Sequence, residues 1–570
     1  DERIHPVADA TGKRAGHGRR MLRAYVRWLG PDSAAVAVLR LLGLFDRPAR
    51  SDLLDELRAE PAIPGLTDAL VRLRDDEWLR TIDQLKQLGL ITREPVSLTI
   101  NATAPPAERP LSPVSFAVDA HPLLREHFKS ELREQMRDSW RAAHRRLYKY
   151  LCATTPDKEQ PTLEDLQPLY QAIAHGCHAG LEQEVFEEIY LIRINHAEDY
   201  YSTQSLGAFA SDLGALACFF EAPWSRVSSA FKEPHGSLLQ AVVSFDLTAL
   251  GRLDEAEELL QQALEIRIKH NAWGNAARLA ANLSELDLIL GHVTPAVDAA
   301  KEAVVHADRA RDAGLRIISR SFYAFALHQA GHLAESEKNF REAEKLQAEE
   351  NPQFNLLCSI ESFYYSELLL AESEYAAWQR ILKSVTRNSS HAKTLREVSE
   401  RGANSLRIAE YQNWVLDTGL SHVTLGRVNL FRRLLSKKRF QHYNQHSEVK
   451  RNLNDAVNSL RRAGQHAYLI YGLLSRAWLR FVTGVGTDGA SAQEDLDEAW
   501  QIAERGPMRL HMADIHLYRA RLFFREKEYP WESPQADLAA ARKLIEQCGY
   551  WRRKEELEDA ERVILSGQSL

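Results

Sequence analysis

Paired cysteines are missing from this chain. Cys152, Cys177, Cys218, Cys358 and Cys548 are odd in number, far apart and without a CxxC spacing. Neither a disulfide framework nor a cysteine zinc site is supported, and the five read as small buried apolar residues in a reducing compartment. An excess of base is missing too. With 72 Lys and Arg against 79 Asp and Glu, the net charge is -7, so the cations needed to displace counterions from phosphates are lacking and nucleic acid is not expected as a partner. No apolar run reaches the roughly 18–20 residues that span a bilayer. The opening Asp1-Glu2-Arg3-Ile4-His5 has no signal-peptide core, so a cytoplasmic protein without membrane contact is expected. The absence of an initiator Met predicts a fragment or a processed product.

Catalytic signatures are equally scarce. There is no GxxxxGK[ST], no GxSxG and no HExxH, which leaves no phosphate loop, nucleophile elbow or helical zinc pair. Gly12-Lys13-Arg14-Ala15-Gly16-His17-Gly18-Arg19-Arg20 is glycine- and base-rich, but it lacks the phosphate-loop spacing and a preceding apolar strand. His175 and His178 share a helix face near Cys177 without a clear third ligand, so they read as packing residues. Glu555, Glu556, Glu558 and Asp559 read as a solvated helix face. No catalytic residue and no metal site is assigned, and the chain is not read as an enzyme.

What is present is an internal repeat in a 570-residue chain of ordinary globular composition, 45% hydrophobic and 26% charged, long enough for several domains. Leu250-Gly251-Arg252-Leu253-Asp254-Glu255-Ala256 recurs as Leu290-Gly291-His292-Val293-Thr294-Pro295-Ala296 and as Ala330-Gly331-His332-Leu333-Ala334-Glu335-Ser336, with the glycines 40 residues apart. Ala263, Ala303 and Ala343 keep the same phase. Each glycine ends a helix A, where the lack of a Cβ permits a tight turn. Helix B follows at once, its first turn acidic in Asp254-Glu255, which suits a positive helix N-terminus. Leu253, Leu260 and Leu264 form one stripe. A single helix pair cannot bury such a stripe alone, so the pairs must stack.

The Leu-Gly-x-x-x-x-Ala turn with an Ala seven residues later resembles the tetratricopeptide repeat (TPR), although the unit is 40 residues rather than about 34. Leu425-Gly426-Arg427 predicts another turn. Phe431 to Gln445 reads as an inserted basic and polar stretch, and Leu453, Asp495 and Asp537 lie in later B helices. Gly549-Tyr550-Trp551-Arg552-Arg553-Lys554 opens a charged last helix, suited to a cap with a polar outer face. In a TPR stack the A helices line the concave groove where extended or helical ligands dock. This places Phe245, Arg278, Glu285, Phe325 and His328 toward a protein or peptide partner. For Phe245 and Phe325 a core role competes with that reading.

The first quarter reads differently. Ala34 to Phe45, Ser51 to Arg58 and Asp75 to Leu88 read as helices. Val96-Ser97-Leu98-Thr99-Ile100 and Val114 to Val118 read as a β-hairpin around the Pro-rich loop Thr103 to Pro113. Three helices and a hairpin make a winged helix. Its third helix, from Asp75-Asp76-Glu77-Trp78, carries four acids and only Arg80 up to Asp83, a poor reader of phosphates and bases.

Directly after the hairpin stands Phe116-Ala117-Val118-Asp119-Ala120-His121-Pro122-Leu123-Leu124-Arg125-Glu126. With Leu39-Arg40-Leu41-Leu42-Gly43-Leu44-Phe45 and the Leu88-Gly89-Leu90-Ile91 helix end, this segment resembles the winged-helix module of STAND signalling ATPases of the NB-ARC/NACHT (NLR-like) type. That family has a Met-His-Asp-Leu-like motif here; Ala120 and Pro122 depart from it, while Leu123, Leu124 and Arg125 follow it. The resemblance implies that His121 meets the β-phosphate of ADP, that ADP or ATP binds only in the full-length protein, and that a nucleotide-binding domain precedes this chain. It also implies oligomerisation of the activated full-length protein and a role in bacterial immunity or signalling, with antiviral defence a common case. The simpler alternative for His121 is a residue that caps the next helix.

The expected fold is therefore mainly all-α: a TPR-like α-solenoid superhelix preceded by a winged-helix domain with a small β-hairpin. Residues 1–33 are a linker, 34–135 the winged helix, 136–230 a helical connector and 231–570 the solenoid, with an insertion near 428–450. The expected function is ligand sensing and autoinhibition. The alternatives are a TPR transcriptional regulator with a DNA-binding winged helix and a TPR scaffold. A Walker motif encoded just upstream of Asp1 decides for the first.

Overall fold

Where an apolar stripe follows a capping residue, helices form. Ser33 accepts from the Val36 N–H and starts α1 (Ala34–Leu42), which buries Val36, Val38, Leu39 and Leu41. The computed structural model describes residues 25–95, 116–197, 200–382, 391–436, 447–484 and 491–566. The Gly12–Arg20 segment, the Val96–Ile100 strand and the Thr103–Pro113 loop lie outside them. Two compact units are present, divided between Ile194 and Asn195, inside the stretch read as a connector.

In the first unit α1 is followed by β1 (Ala49–Arg50), α2 (Ser51–Arg58) and α3 (Asp75–Gln87). Strands β2 (Ile91–Pro95) and β3 (Phe116–Ala120) pair antiparallel with Ile91 opposite Ala120 and Pro95 opposite Phe116. β1 adds to the other side of β3, giving the order β1-β3-β2. The hairpin therefore starts earlier than the alternation at 96–100 suggests, because Leu90 and Ile91, which follow the helix end, are already buried. Helices α4 (Pro122–Gln135), α5 (Arg137–Thr154) and α6 (Leu163–Ala179) complete the described helices that matter here.

The second unit is an α-solenoid of consecutive helix pairs. The first three pairs are α7 (His235–Ala249) with α8 (Leu253–Lys269), α9 (Trp273–Leu290) with α10 (Val293–Ala310), and α11 (Ala313–Gln329) with α12 (Leu333–Glu350). The three turns share one backbone conformation. Gly251, Gly291 and Gly331 have φ of +76°, +87° and +80°, a region that favours glycine. In each, the residue after the glycine donates its N–H back over the turn: Arg252 to Leu247 O at 2.9 Å, His292 to Asp287 O at 2.7 Å and His332 to Leu327 O at 2.9 Å. This is the Schellman closure of a helix C-terminus. Ala256, Ala263, Ala296 and Ala303, wholly buried, let the paired helices approach closely.

Four further pairs follow: α13 (Ser359–Leu382) with α14 (Ala392–Gln412), α15 (Val415–Leu435) with α16 (Ser447–Ala463), α17 (His466–Thr483) with α18 (Ala492–Arg505), and α19 (Arg509–Phe523) with α20 (Pro534–Cys548). A last helix, α21 (Lys554–Ser566), ends the described chain. Asp495 and Asp537 lie in B helices as expected. The Leu425-Gly426-Arg427 turn does not exist: Gly426 sits inside α15, where a Cβ would come within 2.4 Å of Leu453 Cδ2. The glycine serves close helix packing, and a helix-packing glycine and a turn glycine look alike in a sequence. Phe431 to Leu435, read as inserted, continue α15, and Phe431 is fully buried; residues 437–446 lie outside the described part.

The solenoid closes on itself. A Cβ on Gly251 would stand 3.3 Å from Met508 Cε, one on Gly291 2.7 Å from Cys548 Sγ and 2.8 Å from Arg509 Cβ, and one on Gly331 3.0 Å from Trp551 Cβ. The turns of the first three pairs thus abut the later helices. The A helices α9, α11 and α13 face α19 and the 551–553 turn rather than an open groove.

Candidate functional site

The inner face of the solenoid is where the A helices converge, and it holds far more ionisable groups than packing requires. α9 contributes Glu285, α11 Phe325 and α13 Tyr364; α17 contributes Tyr468 and Tyr471, and α19 His511 and Asp514. Together with Tyr550 and neighbouring apolar residues they line a partly open cavity of about 40 Å³, room for a few water molecules. Phe325 stacks on Tyr364 with ring centroids 3.8 Å apart and planes 8° from parallel. The Tyr364 and Tyr468 hydroxyls share a 2.8 Å hydrogen bond, and Tyr468 donates on to Glu285 Oε1.

Few cations compensate the carboxyls at this end. Burial raises Glu285 above the ordinary range against the hydrogen bonds from Tyr468 and Tyr364. Loss of solvent pushes Glu361 up to about 8, opposed only by its own backbone hydrogen bond. Asp417 is pushed up to about 6 by burial, although Ser359 Oγ donates to it at 2.8 Å. Burial also holds His511 down to about 4. Each of these shifts favours the neutral form, because a low-dielectric site disfavours the charged one.

Next to this cluster the charges are paired. Arg427 bridges Glu367 and Glu374, the latter at 2.8 Å. Arg552 reaches Glu367 at 3.1 Å, and Arg553 reaches Glu374 at 3.2 Å, Asp514 at 2.8 Å and Glu556 at 2.6 Å. Arg521 joins Glu556 at 2.5 Å and lies 3.9 Å from the centre of the Trp378 ring. Desolvation would raise Glu374, but Arg553, Arg427 and Arg552 outweigh it and hold the carboxyl far below its ordinary value. The expected polar outer face is present on the last helix, where Lys554, Glu555, Glu558 and Arg562 are exposed. The residues that open it are the exception: Tyr550 and Arg553 are buried, and Trp551 faces out. Glu556 and Asp559, read as solvated, are buried as well.

Of the residues assigned to the groove, Glu285 and Phe325 meet at the cavity. Phe325 is 6% exposed and His328 fully buried, so neither offers a free surface to a docking ligand in this closed form. Burial, with Arg552 and Arg553 nearby, holds His328 well below its ordinary pKa. Phe245 is half-buried on Phe209, centroids 5.9 Å apart. Arg278 is exposed, its Nη1 3.4 Å from the Tyr200 hydroxyl. Sequence reasoning missed Tyr364, Tyr468, Tyr471, Asp514 and the Arg552–Arg553 pair. The Glu367 and Glu374 carboxylates, seven residues apart on the inward stripe of α13, were the available signal.

In the first unit His121 is exposed and is the N-cap of α4: its Nδ1 accepts from the Leu123 N–H at 3.2 Å. Arg125 pairs with Asp119 at 2.9 Å. His175 and His178 do have a third histidine beside them, His144 from α5. The Nδ1 atoms of His144 and His175 are 2.8 Å apart, and the His144 and His178 ring centres 4.8 Å. A 2.8 Å contact is a hydrogen bond, shorter than the roughly 3.3 Å between two nitrogens on one tetrahedral ion. Burial pushes His175 and His178 down to about 4.

Among the described residues no helix is long and apolar enough to cross a membrane. No protein-family model matches the chain, and no curated protein matches it. Among solved structures it is similar to a signal transduction ATPase with numerous domains (STAND) protein with a tetratricopeptide repeat sensor from Pyrococcus horikoshii. The two share 12% identity over 92% of this chain and 64% of that one, with a TM-score of 0.35. This chain thus spans less than two thirds of the length of that protein.

Proposed function

We propose that this chain is the ligand-sensing and autoinhibitory region of a STAND-type signalling ATPase of the NB-ARC/NACHT kind, and that the solenoid receives a protein or peptide trigger. The observation that carries the reading is the inner face itself. Glu285, Glu361 and Asp417 are held above their ordinary pKa by loss of solvent, a cost that a solenoid built only to be stable would avoid with leucine. A cavity of about 40 Å³ has no room for a peptide, so a ligand for this face needs the A helices to part. Binding is then coupled to opening, and the shift is as large as the difference in the ligand's affinity for the open and closed forms.

The same reading makes residues 34–135 a winged helix. Three helices, a β2–β3 hairpin and an exposed His121 at the following N-cap support it. With Nδ1 engaged by the helix, Nε2 is the atom that would meet an ADP phosphate held by a preceding nucleotide-binding domain. Without a phosphate loop the chain does not hydrolyse ATP by itself. Release of the winged helix lets the full-length protein exchange nucleotide, oligomerise and act in bacterial immunity or signalling, in the cytoplasm. The DNA-reading alternative is disfavoured by α3, where Arg80 pairs with Asp76 at 3.0 Å and Arg58 with Asp75 at 2.6 Å, leaving an acidic face.

The test uses the full-length protein with His121→Ala. ADP should dissociate faster, and basal activity should appear without trigger. Unchanged ADP release together with unchanged basal activity overturns the assignment of His121 and leaves it a helix cap.

A further inference from the structure

The Schellman turn that ends each A helix places two side chains next to each other: the one three residues before the helix cap and the one just after the glycine. In the first repeat these are Leu247 and Arg252, in the third Leu327 and His332, and in the second Asp287 and His292. Leu247 and Leu327 are buried core residues, so the repeat asks for leucine at this place. Asp287 occupies the same buried place, only 5% exposed. Its carboxylate lies 3.5 Å from His292 Nδ1. Glu257, from the preceding B helix α8, completes a trio whose donor atoms all lie within 4.8 Å of one another.

The trio is short of positive charge. Among the described residues no lysine or arginine forms an ion pair with Asp287 or Glu257, and the hydrogen bond described to Glu257 comes from Gln261 at 3.1 Å. Burial and the Glu257 carboxylate push Asp287 up to about 7. Two donors on one ion at about 2.1 Å stand about 3 to 3.5 Å apart. The His292–Asp287 spacing already falls there, set by the turn, and Glu257 need move only a side chain.

We propose that Glu257, Asp287 and His292 form a binding site for one divalent first-row transition ion. One imidazole nitrogen and two carboxylates suit zinc or cobalt(II) better than calcium or magnesium, which favour all-oxygen sets, or copper(I), which favours sulfur. The ion ties helix α8 to the turn between α9 and α10, clamping the first repeat to the second.

The test titrates zinc chloride, and separately cobalt(II), into untagged, chelator-treated full chain, by calorimetry and by the cobalt d–d spectrum. One equivalent should bind to the trio, and zinc should raise the Tm by at least about 2 °C. Two variants install residues the neighbouring repeats already use at these places, Asp287→Leu and His292→Arg, and so keep the turn. Both should lose that equivalent and the zinc-dependent Tm rise while remaining folded. Glu257→Gln should weaken binding at least tenfold. Absence of stoichiometric binding to the native chain overturns the site. So does retention of the bound equivalent by Asp287→Leu, which would move the ion to another cluster such as His144, His175 and His178.

Discussion

Helix pairs 235–350 bury mainly alanine and leucine at their contacts, with Ala256, Ala263, Ala296, Ala303 and Leu259 wholly enclosed and scattered ionisable groups such as Asp246 and Asp287 among them. Helices 359–566 add a connected network of buried charge, with Glu367, Glu374, Arg427, Asp514, Arg521, Arg553 and Glu556 inside one solenoid unit. Both halves use the same helix-pair geometry, so the fold does not demand either choice. Apolar small residues give contact without a desolvation penalty. Buried ion pairs give back by attraction about what they cost to dehydrate, but they punish the loss of any single partner. The early half should therefore be sensitive to volume and turn conformation, and the late half to charge balance.

The largest test of that contrast is Arg553→Met. It leaves Asp514, Glu374 and Glu556 short of a cation in the interior, and the expected loss is about 3–5 kcal/mol in urea unfolding. A loss under about 1 kcal/mol would mean that the remaining arginines rebalance the network and that the late half is not charge-sensitive.

Next in size are the turn glycines. Gly291→Val puts a branched Cβ at a left-handed φ and against Cys548 and Arg509, an expected loss of about 2–4 kcal/mol. At Gly251 the nearest atom is the terminal methyl of the unbranched Met508 side chain, at 3.3 Å, so Gly251→Val should lose only about 1–3 kcal/mol. Equal midpoints for the two variants would show that the contact with the later helices carries no weight.

The smallest effect has the opposite sign. Asp417 titrates at about 6 in the folded chain because it is buried. Below about pH 4 it is protonated folded and unfolded alike, and it costs nothing. Between about pH 4 and 6 the unfolded chain releases the proton first, so stability falls as pH rises; above about pH 6 the penalty is constant. Asp417→Asn, still able to accept from Ser359, should remove that slope and gain about 2 kcal/mol at pH 7. A destabilised Asn variant at pH 7 would show that the buried carboxylate is ionised and compensated.

The same contrast explains what could be read from the chain before its folding was known. Gly251, Gly291 and Gly331 are legible because a left-handed turn repeated at fixed phase constrains one residue type at fixed spacing. Gly426 misled because close packing against Leu453 asks for the same residue. Glu285 and Phe325 could be assigned to the inner face from the turn, since position along helix A follows from helical geometry. That the inner face is closed could not be read. Arg552 meets Glu367 across 185 positions and Arg553 meets Glu374 across 179, and no local pattern links residues so far apart. The early start of the hairpin at Ile91 was hidden for a related reason. Strand 91–95 is specified by its partner 116–120 rather than by its own alternation.

Those long-range pairs alter how the solenoid can come apart. An open stack of helix pairs touches only its neighbours, so its ends can fray while the middle stays formed. Here the Arg552–Arg553 turn is bonded into the middle of the chain, so the last helix cannot peel away without exposing the carboxylates of α13. Unfolding of residues 359–566 should then be one all-or-none event. Closing a loop of that length also makes the last docking step a slow one in folding.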